Sequence, residues 1–201
     1  VYKERGQYEE AVAAYEASLK GLRGLELKGK EAQTLNYIGI VYQETGQYVD
    51  ALKTFQVSWQ IAKEIGDKAQ ESGALIGAGN IHRLTRRHDK ALGAYQAALK
   101  IAQVIPDKGQ EAAARGSIGN VYRETGQYTK VLEQYEASLK VFRELWQKGD
   151  EAKALYHIGM IYQETDQYAE ALTQYDASLK ICKSIQCALT SAYAMLVKFQ
   201  L

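Results

Sequence analysis

The sequence predicts an all-α fold built as a stack of antiparallel helix pairs. Three observations predict it: a repeat with a period of 40 residues, apolar positions at helical spacing inside each period, and a single proline, Pro106, in 201 residues. The repeat copies begin VYKERGQYEEAVAAYEASLK at Val1, VYQETGQYVDALKTFQVSWQ at Val41, IHRLTRRHDKALGAYQAALK at Ile81, VYRETGQYTKVLEQYEASLK at Val121 and IYQETDQYAEALTQYDASLK at Ile161, with no insertion. A fixed period of this size marks a unit that cannot bury its apolar face alone and must stack on its neighbours. So little proline leaves long helices uninterrupted.

Each period reads as two helices. From Glu31 onward, Leu35, Ile38 and Tyr42 recur at three- and four-residue steps, which places them on one helix face. Thr45-Gly46-Gln47 breaks the pattern, and glycine there supplies the left-handed conformation that ends a helix. A second series, Tyr48, Ala51, Leu52, Phe55 and Trp59, continues to Ile65, and Gly66-Asp67-Lys68 closes it. The expected helices are therefore near 30–44 and 48–65, repeated at each period. Residues 1–28 read as the second helix of a truncated first repeat. Full repeats follow at 29–68, 69–108, 109–148 and 149–184, and 185–201 reads as a terminal or capping helix, all in one array. Gly39, Gly79, Gly119 and Gly159 share one mid-helix phase, where glycine costs about 1 kcal/mol relative to alanine. Close helix–helix approach is the expected reason, with Ala51, Ala91 and Ala171 facing the glycine from the second helix. Gly119→Leu is then expected to wedge a pair apart.

Composition removes several classes of function. With 25 basic and 24 acidic side chains the net charge is +1, which lacks the local basic excess that nucleic-acid or anionic-membrane binding needs. The run His82-Arg83-Leu84-Thr85-Arg86-Arg87-His88 is the one basic cluster, and a single turn offers too few phosphate contacts. His82 and His88 fall on different helix faces, so no metal site is expected. Cys182 and Cys187 form neither a disulfide framework nor a CxxC site. The stretch 185–201 is short and polar for a membrane span, and no secretory leader is seen, so a cytoplasmic setting is expected. The chain lacks a start methionine and opens inside a repeat, which reads as a piece of a longer protein. Gly77-Ala78-Gly79-Asn80 lies inside a helix with no preceding strand, unlike a phosphate loop. With no nucleophile–base pair or catalytic motif, neither enzymatic activity nor a cofactor is expected. Of the 15 tyrosines, those at 2, 42, 122 and 162, at 8, 48, 128 and 168, and at 15, 95, 135 and 175 fall on packing phases.

At Leu35, Ile38-Gly39, Tyr42, Gly46, Tyr48, Ala51, Phe55 and Ser58 the chain resembles the tetratricopeptide repeat (TPR). The 40-residue period is similar to the longer-helix arrays of Pins/LGN-type, kinesin-light-chain and bacterial signalling proteins. Departures are His82, Arg86, His88, Arg115 and Asp166. The resemblance implies a right-handed α-α superhelix whose first helices line a concave groove for a partner peptide. Carried over residue by residue, the groove rows are Gln33, Gly73, Ala113, Lys153; Asn36, Ile76, Gly116, Tyr156; and Ile40, Asn80, Asn120, Met160. Two further rows are Gln43, Arg83, Arg123, Gln163 and Glu44, Leu84, Glu124, Glu164. The candidate binding residues are Asn36, Gln43, Asn80, Arg83, Asn120, Arg123, Lys153, Tyr156 and Gln163. An amide pairs with both N–H and C=O of a peptide backbone, so Asn80 and Asn120 suit an extended ligand. Arg83 and Arg123 suit acidic side chains on it. Gly73, Ala113 and Gly116 keep the floor open.

TPR domains that clamp a C-terminal carboxylate resemble this chain at Asn80 and Lys153. Ile76, Ser117 and His157 stand where that clamp has lysine, asparagine and arginine, so this ligand is not expected. The expected work is protein–protein scaffolding through the groove. One alternative is a regulatory or sensor module of a larger signalling protein. Another is head-to-tail self-association through 187–201 at the open solenoid ends.

Overall fold

The computed structural model describes residues 2–105 and 108–185. The described residues hold nine helices: α1 (Tyr2–Gly24), α2 (Lys28–Glu44), α3 (Tyr48–Ile65), α4 (Lys68–Leu84), α5 (His88–Ala102), α6 (Lys108–Glu124), α7 (Tyr128–Glu144), α8 (Lys148–Glu164) and α9 (Tyr168–Ser184). The chain divides into two compact units, Val1–Gln110 and Glu111–Leu201. The first carries α1 to α5; the second carries α6, from Glu111 on, to α9. The segment 187–201 and Cys187 lie outside the described residues.

The second helix of each pair buries one stripe. In α3 it is Ala51, Phe55, Ser58 and Ala62. In α5 it is Ala91, Tyr95, Ala98 and Ala102, and in α9 Ala171, Tyr175, Ser178 and Cys182. These steps of four and three keep small residues at the crossing and one aromatic ring at its centre. First helices bury a broader set, such as Ala32, Leu35, Ile38 and Gly39 in α2. In the second unit, Val131, Tyr135, Leu139, Leu155, Ile158 and Ile161 form one apolar cluster across α7 and α8.

The turns of α2–α3, α6–α7 and α8–α9 share a specific lock. Thr45 Oγ1 donates to the Val41 carbonyl at 2.9 Å, and Gln47 Nε2 donates to Thr45 Oγ1 at 3.0 Å. Thr125 with Gln127 and Thr165 with Gln167 repeat it. The hydroxyl is a second donor to a carbonyl that the threonine's own N–H already engages, which fastens the last turn of the helix. Gly46 and Gly126 take φ of 76° and 71°, as a helix-ending glycine does.

The mid-helix glycines do accept a close neighbour, but it is the aromatic ring of the second helix and not its alanine. A Cβ on Gly39 would lie 2.7 Å from the Phe55 ring, on Gly79 2.5 Å from Tyr95 and on Gly159 2.7 Å from Tyr175. Phe55 also fills the space over Gly77 of α4, so one ring is seated on two glycines. Gly119 is the exception: its Cβ would meet Tyr135 at 3.5 Å, an ordinary contact. A methyl alone therefore forces the pair apart at Gly79, whereas at Gly119 only a side chain longer than alanine would press on Tyr135. Ser58 adds a tie between helices, donating to the Ala32 carbonyl at 2.8 Å, and Ser178 does the same to Ala152 at 2.7 Å.

Candidate functional site

The candidate residues lie on first helices, and in each unit they begin as a repeat phase. In the first unit, Asn36 and Gln43 sit on α2, Asn80 and Arg83 on α4. In the second, Asn120 and Arg123 sit on α6, and Lys153, Tyr156 and Gln163 on α8. Helical spacing puts Asn80 with Arg83, and Asn120 with Arg123, one turn apart on one face.

Asn80 and Asn120 are both held from behind. The Tyr95 hydroxyl donates to Asn80 Oδ1 at 2.6 Å, and the Tyr135 hydroxyl donates to Asn120 Oδ1 at 2.9 Å. Each amide carbonyl thereby accepts a hydrogen bond on one of its two lone pairs, which restrains the side chain. On α8 the Tyr175 hydroxyl donates to Gln163 Oε1 at 2.7 Å. Burial pushes the Tyr175 phenol up to about 12, with Tyr156 and Glu164 adding to it, so this donor keeps its proton.

Other candidates are engaged within the fold. Asn36 is buried, and its Nδ2 donates to Gln70 Oε1 at 2.9 Å, tying α2 to α4. Gln43 Nε2 donates to Glu44 at 3.4 Å. Arg123 Nη1 lies 3.9 Å from Glu164 Oε1, a long pair from α6 to α8. Lys153 pairs with Asp150 of its own helix at 3.0 Å. Tyr156 packs on Tyr175, ring centres 5.6 Å apart, and meets the edge of His157 at 5.7 Å.

Two features escaped the sequence reading. The tyrosine hydroxyls at 95, 135 and 175 carry polar work beside their packing. The signal was present: Asn80 and Tyr95, and Asn120 and Tyr135, are each 15 apart, while the same phases hold Ile40 and Phe55. His157 is the second. Its ring stacks on Tyr135 at 5.3 Å and 13°. Burial holds its pKa below the usual value, with Arg123 and Lys153 contributing. Beside it, in the second unit, is a recess of about 220 Å³ among α6, α7 and α8, which Asn120 and Lys153 also line. Among the described residues no helix is long and apolar enough to cross a membrane.

This chain belongs to the tetratricopeptide repeat family, whose models match residues 1–64, 70–144 and 152–185. Repeats of this family mediate protein–protein interaction. Solved structures share the fold at low identity. BtubC (BKLC) from P. vanneervenii is similar at TM-score 0.79 and 18% identity, over 88% of this chain and 74% of that one. A Signal Transduction ATPase with Numerous Domains from Pyrococcus horikoshii, with a tetratricopeptide repeat sensor, gives TM-score 0.81 at 17% identity over 96% of this chain. A Rap protein complexed with Competence and Sporulation Factor gives 0.83 at 17%, again over 96%. The chain spans 30% of the Pyrococcus protein and 54% of the Rap protein. No curated protein matches the sequence.

Proposed function

We propose that this chain is an interaction module that holds an extended segment of a partner protein on the open faces of its first helices, with no chemistry of its own. The observation that carries this reading is a tyrosine-held amide on a first helix of each unit, Asn80 in the first and Asn120 in the second. Their NH2 donors match main-chain carbonyls, which every peptide presents whatever its side chains. Pre-fixed donors also bind with less loss of rotamer freedom than mobile ones.

Acidic side chains on the ligand belong to the same proposal, opposite Arg83 and Arg123. The 3.9 Å Arg123–Glu164 pair supports this, because a ligand carboxylate replaces Glu164 without leaving a buried charge. The test is a fluorescent peptide selected on this chain from a random decapeptide library. The double reversal Arg83→Glu with Arg123→Glu is expected to weaken it at least about tenfold with unchanged helical circular dichroism. Selected peptides are expected to be rich in Asp and Glu. Affinity kept by the reversal removes this face from the account.

A second reading has a specific observation behind it. The similar Pyrococcus and Rap proteins are longer than this chain, one described as carrying a repeat sensor and the other as complexed with a factor. An array that senses a peptide for an effector elsewhere in a larger signalling chain uses the same face. A cytoplasmic setting goes with both readings, since two cysteines are too few for the disulfide framework of a secreted module.

A further inference from the structure

The recess in the second unit is a departure from the repeat, and its cause is visible residue by residue. The corresponding place in the first unit is crossed by a buried side chain. There Asn36 reaches across to Gln70, and Ser58 ties α3 to the Ala32 carbonyl. In the second unit Gly116 stands at the phase of Asn36, and Asp150 stands at that of Gln70 and turns to Lys153 instead. Ser138, at the phase of Ser58, bonds its own helix at Gln134, so the α6–α7 tie is absent there. Gly119 correspondingly keeps an ordinary distance from Tyr135.

Gly116 has no packing reason to be glycine. A Cβ there would meet nothing within 4 Å, and its backbone is helical, in mid-helix where glycine is a poor choice. Its effect is to leave the recess open. The walls are the stacked rings of Tyr135 and His157 together with Phe142. The rim carries Asn120, whose Oδ1 is engaged by Tyr135, and the Lys153–Asp150 pair, which is neutral as a whole. His157 is uncharged at neutral pH, because burial and the nearby Arg123 and Lys153 lower its pKa. A carboxylate entering here would face Asp150 as well as Lys153, whereas an uncharged side chain meets rings and small residues without that opposition.

The geometry points to an anchor pocket at Gly116 that takes one apolar side chain of the bound segment, while Asn120 donates to that residue's main-chain carbonyl. This deepens the peptide-binding reading and rests on it, by adding one fixed apolar position to a ligand otherwise read through its backbone and charge. The pocket excludes a carboxylate side chain at that position and gives the ligand a register on the second unit, because a main-chain carbonyl alone is the same at every residue.

Capped single amino acids test the pocket without the rest of the face. The full chain is titrated with N-acetyl-leucinamide, N-acetyl-alaninamide and N-acetyl-aspartamide, following the Asn120 side-chain amide and the His157 ring by NMR. The leucine probe is expected to give saturable shifts at both, about tenfold tighter than the alanine and aspartate probes. Gly116→Leu fills the recess from within and is expected to abolish those shifts, while Gly116→Ala, which has free space around it, keeps them. Absent saturation in the unaltered chain overturns the pocket, as does equal binding of the aspartate probe. Unchanged binding by a folded Gly116→Leu does so too. Failure here leaves the wider face standing, since that is judged separately by the Arg83 and Arg123 reversal with a peptide.

Discussion

Four residues that are not glycine sit where a glycine conformation is required. Glu26, Arg86, Trp146 and Asp166 take φ of 54°, 57°, 56° and 60°, at turn positions where Gly46, Gly66 and Gly126 stand elsewhere. The left-handed region costs an ordinary L-residue about 1–2 kcal/mol. Trp146 is 80% exposed, so its indole returns little packing for that strain. Trp146→Gly is expected to raise stability by about 1 kcal/mol, and Asp166→Gly by less, since aspartate tolerates this conformation. Urea midpoints check both. The opposite experiment separates two superficially equal glycines. Gly79→Ala drives a methyl into the Tyr95 ring and is expected to cost about 1–3 kcal/mol. Gly119→Ala has room and is expected to be neutral or to gain up to about 1 kcal/mol from helix propensity.

At the scale of helix pairs, the recurring device is an aromatic ring of the second helix seated against a first-helix glycine. Where that ring is tyrosine, its hydroxyl also fixes an amide of the first helix. Packing at the crossing and the placement of a first-helix amide are therefore coupled through single side chains. Tyr135→Phe keeps the ring and removes the donor, and it is expected to lower stability by about 1 kcal/mol. It also frees the Asn120 side chain, which broadening of its NMR amide signals would report. The pair α2–α3 lacks this device because Ile40 and Phe55 hold its positions. Installing both Ile40→Asn and Phe55→Tyr is expected to give a variant about 0.5–1.5 kcal/mol more stable than the sum of the single changes. Simple additivity in that cycle would mean the Tyr–Asn bond contributes nothing.

Across the whole molecule, each unit carries one histidine that burial disfavours as a cation. His82 is lowered from 6.5 by burial, then by Arg87 and Lys90; His157 is lowered by burial, then by Arg123 and Lys153. Below about 6.5 the unfolded chain binds protons that the folded chain refuses, so stability falls as the pH drops from neutral. The loss levels off once the pH passes below the folded values. Glu151 does not offset this: burial raises its pKa, but hydrogen bonds from Lys148 and Arg143 outweigh burial, so it titrates below its ordinary 4.5. The urea midpoint is expected to be lower at pH 5.5 than at pH 7.5, and His157→Phe is expected to shrink the difference. An unchanged pH dependence in that variant would remove His157 as a contributor.

The sequence by itself determined the class of fold and the helix order, because a strict 40-residue period with helical apolar spacing leaves one way to bury the stripes. It also placed the amides and arginines at common phases on the first helices, since period and helical pitch together fix which residues share a face. The tertiary structure decided what those side chains are free to do. Asn36 and Asn80 are the same residue type one row apart, yet one is buried and donates to Gln70, and the other, half-buried, accepts from the Tyr95 hydroxyl. Likewise Gly79 and Gly119 are equivalent in the repeat, but only Gly79 lies against a ring too closely for a methyl. Periodicity specifies direction along a helix, whereas the partner of a side chain depends on the distance to the next helix. That distance varies from pair to pair with the residues at the crossing.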